Sequence, residues 1–322
     1  MPSRPFVDLA AAVRVLAGGG VVAFPTETVY GLGADATLDA AVARIYELKG
    51  RPTAHPLIVH FAHADWLPLW TRGAPEIARR LSEAFWPGPM TLIVRPGEQL
   101  SRLVTGGLLT VAVRVPEHAL ARALIEGLGR PVAAPSANRF GRLSPTSAAH
   151  VQHEFGTDVA ILDGGPCSVG VESTIVDVTG TLPRILRPGG ITRESIEFAL
   201  GVSCAGPAQD SARVPGSLAS HYAPRAQVVI CADADLLSRA QQLADAGERV
   251  GVLLFGTAAP EHAAVECVVL SRNLDHAAQG LYAALRELDA RGCQKILLSL
   301  PDESGIGSAI ADRLRRAAGP RD

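Results

Sequence analysis

The residues most suited to chemistry in this chain fall in three short segments. Lys49-Gly50-Arg51-Pro52 brackets a glycine with two cations where a predicted helix ends. Pro25-Thr26-Glu27-Thr28-Val29-Tyr30-Gly31-Leu32-Gly33 places hydroxyls and a carboxylate directly after a short apolar run, in a glycine-containing loop. Pro135-Ser136-Ala137-Asn138, followed by Ser144-Pro145-Thr146, again follows an apolar run and offers neutral donors and turn N–H groups. Each has a structural alternative. Cations in a last helical turn satisfy free carbonyls and the dipole, and Thr, Ser and Asn build local turns. Together they describe a site for a polyphosphate beside a small polar molecule. Lys49 stands out further, because of 30 basic residues only Lys49 and Lys295 are lysines. An ammonium kept in so arginine-rich a chain is one that a planar guanidinium does not replace.

Other chemistries are disfavoured. The chain has no Walker A loop, no G-x-G-x-x-G after a strand and no H-E-x-x-H. No Ser/His/Asp or Cys/His arrangement is apparent. His55, His60 and His63 cluster in sequence, but no nearby carboxylate completes a metal set. The five cysteines are widely spaced with no C-x-x-C, which fits a reduced, cytoplasmic setting. A net charge of −2 argues against a protein built to grip a nucleic-acid backbone. With 48% hydrophobic and 19% charged residues, a large core is expected. Asp8 and Arg14 interrupt any N-terminal signal-like stretch, and no apolar run reaches the roughly 18 residues of a membrane span.

The elements that must position these residues alternate along the chain. Periodicity and punctuation predict helices over 8–17, 39–48, 75–85, 119–128 and 147–155. Strands are expected over 21–24, 57–61, 90–95, 110–115, 132–134, 159–163, 173–178 and 184–187. Strands with and without intervening helices imply an α/β fold with a mixed sheet. Residues 202–226 read as a linker, rich in Ala, Gly, Pro and Ser through Pro215. A cleaner alternation follows, with strands over 227–231, 250–255, 265–270 and 295–300 and helices over 234–246, 275–291 and 308–318. The expected organisation is a first domain over 1–201, the linker, and a smaller Rossmann-like α/β domain over 227–322.

The segments PTETVYGLG (25–33), KGRP with HPLIVH (49–60), WPGPMTLIV (86–94), TVAVRVP (110–116), PSAN with SPT (135–146), GVESTIVD (170–177) and LRPGGIT (186–192) resemble, in order and spacing, the YrdC/Sua5 family. PGSLASHYAP (215–224) and the closing Gly305-Ile306-Gly307 with Asp312-Arg313-Leu314 resemble the longer, two-domain Sua5 type. The resemblance implies a YrdC-like mixed twisted sheet with helices. It also implies an adenylyltransferase that joins L-threonine, bicarbonate and ATP into threonylcarbamoyl-AMP, releasing pyrophosphate. A downstream threonylcarbamoyl transferase complex would then form N6-threonylcarbamoyladenosine at position 37 of tRNAs that read ANN codons.

By the same resemblance Lys49, Arg51, Ser136 and Asn138 form a catalytic set. ATP, carried with Mg2+, is expected near Arg51, His55, Thr110, Ser136, Ser144, Arg187 and Tyr222. Threonine is expected near Thr28, His60, Arg114, Ala134 and Ser173, with Arg114 as the bidentate partner of its carboxylate. Many relatives carry asparagine where this chain has His55. His221 and Tyr222 have two readings, a lid over the pocket or simple docking of the linker. Two rivals to the synthase remain at this stage. One is a double-stranded RNA-binding or ribosome-assembly module making a weak RNA contact. The other is a carbamoyl transferase, whose extra zinc-finger and acylphosphatase-like parts this chain lacks.

Overall fold

In the computed structural model, which describes residues 5–208, 211–216, 218–256 and 265–320, the short apolar runs of the N-terminal part pair into one ten-stranded mixed sheet. Its strands are β1 (Phe6–Val7), β2 (Val22–Phe24), β3 (Gly31–Asp35), β4 (Ile58–His60), β5 (Met90–Val94), β6 (Val111–Arg114), β7 (Val132–Ala133), β8 (Ala160–Leu162), β9 (Thr174–Asp177) and β10 (Arg184–Arg187). Their spatial order is β1-β8-β2-β3-β7-β4-β6-β5-β9-β10. The helices around it are α1 (Leu9–Ala17), α2 (Asp39–Lys49), the single turn α3 (Leu67–Trp70), α4 (Glu76–Phe85), α5 (Ala119–Leu128), α6 (Ala148–Phe155) and α7 (Arg193–Leu200).

The strands are apolar on both faces because both are covered. On one face Ala23, Leu32, Val59, Leu92, Val113 and Ile161 pack with Val42 and Ile45 of α2, Leu81 of α4 and Val151 of α6. On the other, Val22, Phe24 and Val132 pack against Ala12 and Leu16 of α1 and Leu124 and Ile125 of α5. Further along that second face, Ile58, Ile93, Ala112, Ile175 and Leu186 are covered by Val214, with Ala212 beside it. The cover is therefore an irregular segment, and Val214 is 3% exposed.

A chain-wise division gives two units. The first is Met1–Phe140, Pro145–Ser168 and Glu172–Ser217; the second is Gly141–Ser144, Val169–Val171 and Leu218–Asp322. Residues 209–210 and 217 of the expected linker lie outside the described residues. The second unit holds β11 (Gln227–Ile230), β12 (Val250–Phe255), β13 (Val265–Leu270) and β14 (Lys295–Leu298), all parallel in the order β11-β14-β12-β13. Its helices are α8 (Leu236–Asp245), α9 (Leu274–Ala290) and α10 (Gly307–Ala317). This is the Rossmann-like α/β arrangement that the strand–helix alternation predicts. Among the described residues no helix is long and apolar enough to cross a membrane.

Two local expectations need correction. The 25–33 segment is not wholly loop, since β3 begins at Gly31. Glycines 31 and 33 lower strand propensity, yet the sheet requires them: a Cβ on Gly33 would lie 2.6 Å from a Phe24 ring carbon and 2.8 Å from Val132. Helix α7 was not foreseen behind LRPGGIT. Its signals are local, with Thr192 accepting from the Ser195 N–H as N-cap and Ile196 and Leu200 buried.

Candidate active site

Helix α2 ends at Lys49 because Gly50 takes the left-handed conformation, with φ +63°. Its N–H closes on the Glu47 and Tyr46 carbonyls. The reversal buries both flanking cations, Lys49 at 3% and Arg51 at 7% exposure. The Lys49 ammonium donates to the Ser136 carbonyl at 2.6 Å and to the Asn138 carbonyl. Arg51 donates through Nη2 to the Pro56 carbonyl at 2.8 Å, and its guanidinium carbon lies 5.6 Å from the Phe140 ring centroid. The Pro135–Asn138 turn is held from the other side by backbone bonds from Leu32 N to Pro135 O and from Ala137 N to Tyr30 O, both 2.8 Å. Asn138 donates through Nδ2 to the Arg139 carbonyl at 2.7 Å. The structure thus gathers Lys49, Arg51, Ser136 and Asn138 into one cradle in the first unit. Burial, then the neighbouring Arg51 charge, holds the Lys49 ammonium pKa well below its usual value, while Glu154 acts in the opposite sense.

A second group forms on the sheet itself. Strand β4 runs parallel to β6 with His60 opposite Arg114 and Ile58 opposite Ala112. Because side chains alternate across the pleat, His60 and Arg114 lie on the face carrying Ile58, Ala112 and Ile175. Arg114, 3% exposed, donates from Nε to the Gly88 carbonyl at 3.1 Å, from Nη1 to the Thr28 hydroxyl at 2.9 Å and from Nη2 to Glu27. The Thr28 hydroxyl also lies 2.9 Å from that of Thr26, which donates to the Val29 carbonyl. His60 is 4% exposed, and its Nδ1 has no hydrogen-bond partner among the described residues. Burial, reinforced by the Arg114 charge, pushes its pKa down to about 3, so the ring is neutral near pH 7. Cys167 lies close enough to this group for the Glu27 charge to add to burial in pushing its thiol up to about 12. That thiol is no nucleophile at neutral pH.

Ser173 shares its hydroxyl with Thr91 at 2.8 Å and accepts from Arg187 Nη2 at 3.1 Å. Arg187 also holds the Ser173 carbonyl and, through Nη1 at 2.8 Å, the Pro215 carbonyl. Gly189 packs directly on this strand entry: a Cβ there would lie 2.3 Å from the Glu172 carbonyl oxygen. The half-buried His55 ring centroid lies 5.4 Å from that of Phe140, with its pKa lowered by burial and then by Arg51. Thr110 immediately precedes β6 and is half-buried, and Ala134 N bonds the Ile58 carbonyl at 2.8 Å. Ser144 and Tyr222 belong to the second unit. There Tyr222 is buried with a positive φ of 58°, 5.2 Å from the Arg313 guanidinium carbon and 5.9 Å from the Tyr282 ring.

Sequence reasoning noted the Glu27 carboxylate but gave it no role, and it passed over Gly88 and Thr91. A carboxylate between two threonines directly after a strand was the available signal for Glu27. Among the described residues no group of three or more His, Cys, Asp and Glu side chains is placed to hold a metal.

The first unit thus holds a buried lysine at the end of α2, braced on the Pro135–Asn138 turn, and a buried arginine on β6, braced by Gly88, Thr28 and Glu27. The chain belongs to the Sua5/YciO/YrdC family, whose profile, described as telomere recombination, matches residues 14–189. A second profile, described as the threonylcarbamoyl-AMP synthase C-terminal domain, matches residues 191–319. The chain is 43% identical to threonylcarbamoyl-AMP synthase of Pyrococcus abyssi, over 96% of this chain and 94% of that one. It is 45% identical to the Bacillus subtilis threonylcarbamoyl-AMP synthase, over 98% and 94%. Its fold matches the crystal structure of P. abyssi Sua5 in complex with L-threonine at a TM-score of 0.90, with 41% identity over 96% of this chain and 94% of that one.

Proposed function

We infer that this protein is an L-threonylcarbamoyladenylate synthase: L-threonine, bicarbonate and ATP give threonylcarbamoyl-AMP, pyrophosphate and water. The observation that carries the site assignment is the pairing of two buried cationic devices in one unit. The braced Arg114 guanidinium suits a carboxylate, and the Lys49–Arg51 pair against the Pro135–Asn138 turn suits phosphate oxygens.

In this reading Arg114 takes the threonine carboxylate and the neutral His60 takes a polar group of the same substrate. Thr28, Ala134 and Ser173 line the place. Threonine's amine adds to the carbon of CO2 or bicarbonate, giving a carbamate and, from bicarbonate, water. A carbamate oxygen then forms a bond to the α-phosphorus of ATP as the α–β bridging P–O bond breaks and its electron pair leaves with pyrophosphate. Both reactants are anions, so Lys49 and Arg51 lower their repulsion and stabilise the charge that develops in transfer. The arriving phosphates bring negative charge that favours the Lys49 ammonium, against the burial that lowers its pKa. Ser136 and Asn138 orient phosphate oxygens, and Arg51, His55, Thr110 and Arg187 serve the nucleotide. Mg2+ carried with ATP would offset charge on the triphosphate, and no side chain of this chain is assigned to hold it. Positioning carries the rate, with no covalent enzyme intermediate.

The product is an activated acyl donor, consumed by a transferase complex that modifies ANN-decoding tRNAs in the cytoplasm. The 1–201, 202–226 and 227–322 divisions are proposed as catalytic domain, linker and Sua5-type C-terminal domain. Pyrophosphate release from purified protein tests the reaction: it should require threonine and bicarbonate together. Release that is indifferent to either would overturn it, and RNA binding without turnover would favour the RNA-binding alternative.

A further inference from the structure

We propose that Glu27 is a positioning residue for threonine selection, acting through Arg114. The inference rests on the assignment of Arg114 to the substrate carboxylate. Glu27 and Arg114 are each 3% exposed and form an ion pair. One Glu27 oxygen accepts from Arg114 Nη2, and the other accepts from the Glu117 N–H at 3.1 Å. The carboxylate is therefore fixed at both ends and ties the loop after β2 to the segment following β6.

An arginine has five N–H donors. Arg114 spends one on each nitrogen, toward Gly88, Thr28 and Glu27. One N–H remains on each terminal nitrogen, the number that a bidentate carboxylate requires. The three acceptors hold the guanidinium plane before substrate arrives, so little side-chain entropy is lost on binding.

Glu27 also sets charge. A buried, uncompensated arginine is a general anion trap, and this enzyme works amid bicarbonate, phosphate and pyrophosphate. With Glu27 offsetting its charge, Arg114 discriminates by the geometry of two donors. Glu27 thus weakens attraction for any anion and reserves the fork for a planar carboxylate.

The test is steady-state kinetics of Glu27→Gln, Glu27→Asp and Arg114→Lys beside wild type, with melting temperatures. Glu27→Gln should raise KM for threonine about tenfold or more, through loss of one charge-assisted bond and of plane orientation, while KM for ATP changes less than about twofold. Inorganic phosphate should become a competitive inhibitor against threonine in Glu27→Gln at concentrations that leave wild type unaffected. Glu27→Asp should recover part of the threonine KM and suppress the phosphate inhibition. It carries the same test if the Gln variant does not fold.

An unchanged threonine KM in Glu27→Gln would overturn the proposal. So would equal rises in both KM values alongside a lowered melting temperature, which mark a merely structural residue. If Arg114→Lys also leaves the threonine KM unchanged, the assignment of Arg114 fails. If Arg114→Lys raises it and Glu27→Gln does not, only the role of Glu27 falls.

Discussion

Lys49 is both a charge and a brace. Its Nζ satisfies the Ser136 and Asn138 carbonyls at a position only 3% exposed. Lys49→Ala should therefore abolish adenylation and also cost stability, about 1–3 kcal/mol for buried acceptors left unmatched. Denaturant unfolding beside the pyrophosphate assay separates the two effects. His60 makes a different prediction. Its pKa is about 3 in the fold, against roughly 6.5 in an unfolded chain. Below that unfolded value the unfolded chain takes up a proton that the native ring refuses. Stability tied to His60 is thus full above pH 6.5 and lost as pH falls toward 3, at about 1.4 kcal/mol per pH unit. Between pH 7 and pH 5, His60→Gln should lose about 2 kcal/mol less than wild type in urea titrations, and should bind threonine more weakly at both.

At the scale of elements, strand register does the gathering. Cross-strand pairing of β4 with β6 sets His60 beside Arg114, and β9 enters at Ser173 over Gly189. Gly189→Ala would drive a methyl group into the backbone of residues 172–174. It should cost about 1–3 kcal/mol and raise KM for threonine, read from unfolding midpoints and kinetics together. Much of this was legible in sequence. Gly50 and the cations around it announced the end of α2, and Pro135–Asn138 announced a donor-rich turn. The strand order was not legible, because β4 and β6 lie far apart in the chain and only tertiary pairing brings His60 to Arg114. Strand β3 was hidden for a related reason, since its glycines answer to Phe24 and Val132 rather than to local propensity. Glu27 could be seen but not interpreted until its arginine was found.

At the scale of the whole molecule, the first unit does not end where its last helix does. Val214 covers Ile58, Ile93, Ala112, Ile175 and Leu186, and Pro215 gives its carbonyl to Arg187. A fragment ending at residue 205 should therefore fold with a bare apolar patch and a weakened Ser173–Arg187 link. One ending at residue 216 should be more stable by about 2 kcal/mol, the worth of one buried valine, in matched denaturant curves. Equal curves would show that Val214 adds nothing. The second unit draws on earlier chain in the same way. Ala223 N bonds the Gly141 carbonyl at 2.9 Å, Arg286 bonds that of Leu143, and a Cβ on Gly170 would lie 2.3 Å from Gln279 Cα. On the ribosome Leu143 and Gly170 emerge more than a hundred residues before Arg286 and Gln279, so these contacts wait until the later residues are translated. Vectorial synthesis therefore cannot complete the two units strictly one after the other, and a chain stalled before α9 leaves Leu143 without Arg286 and Gly170 without Gln279.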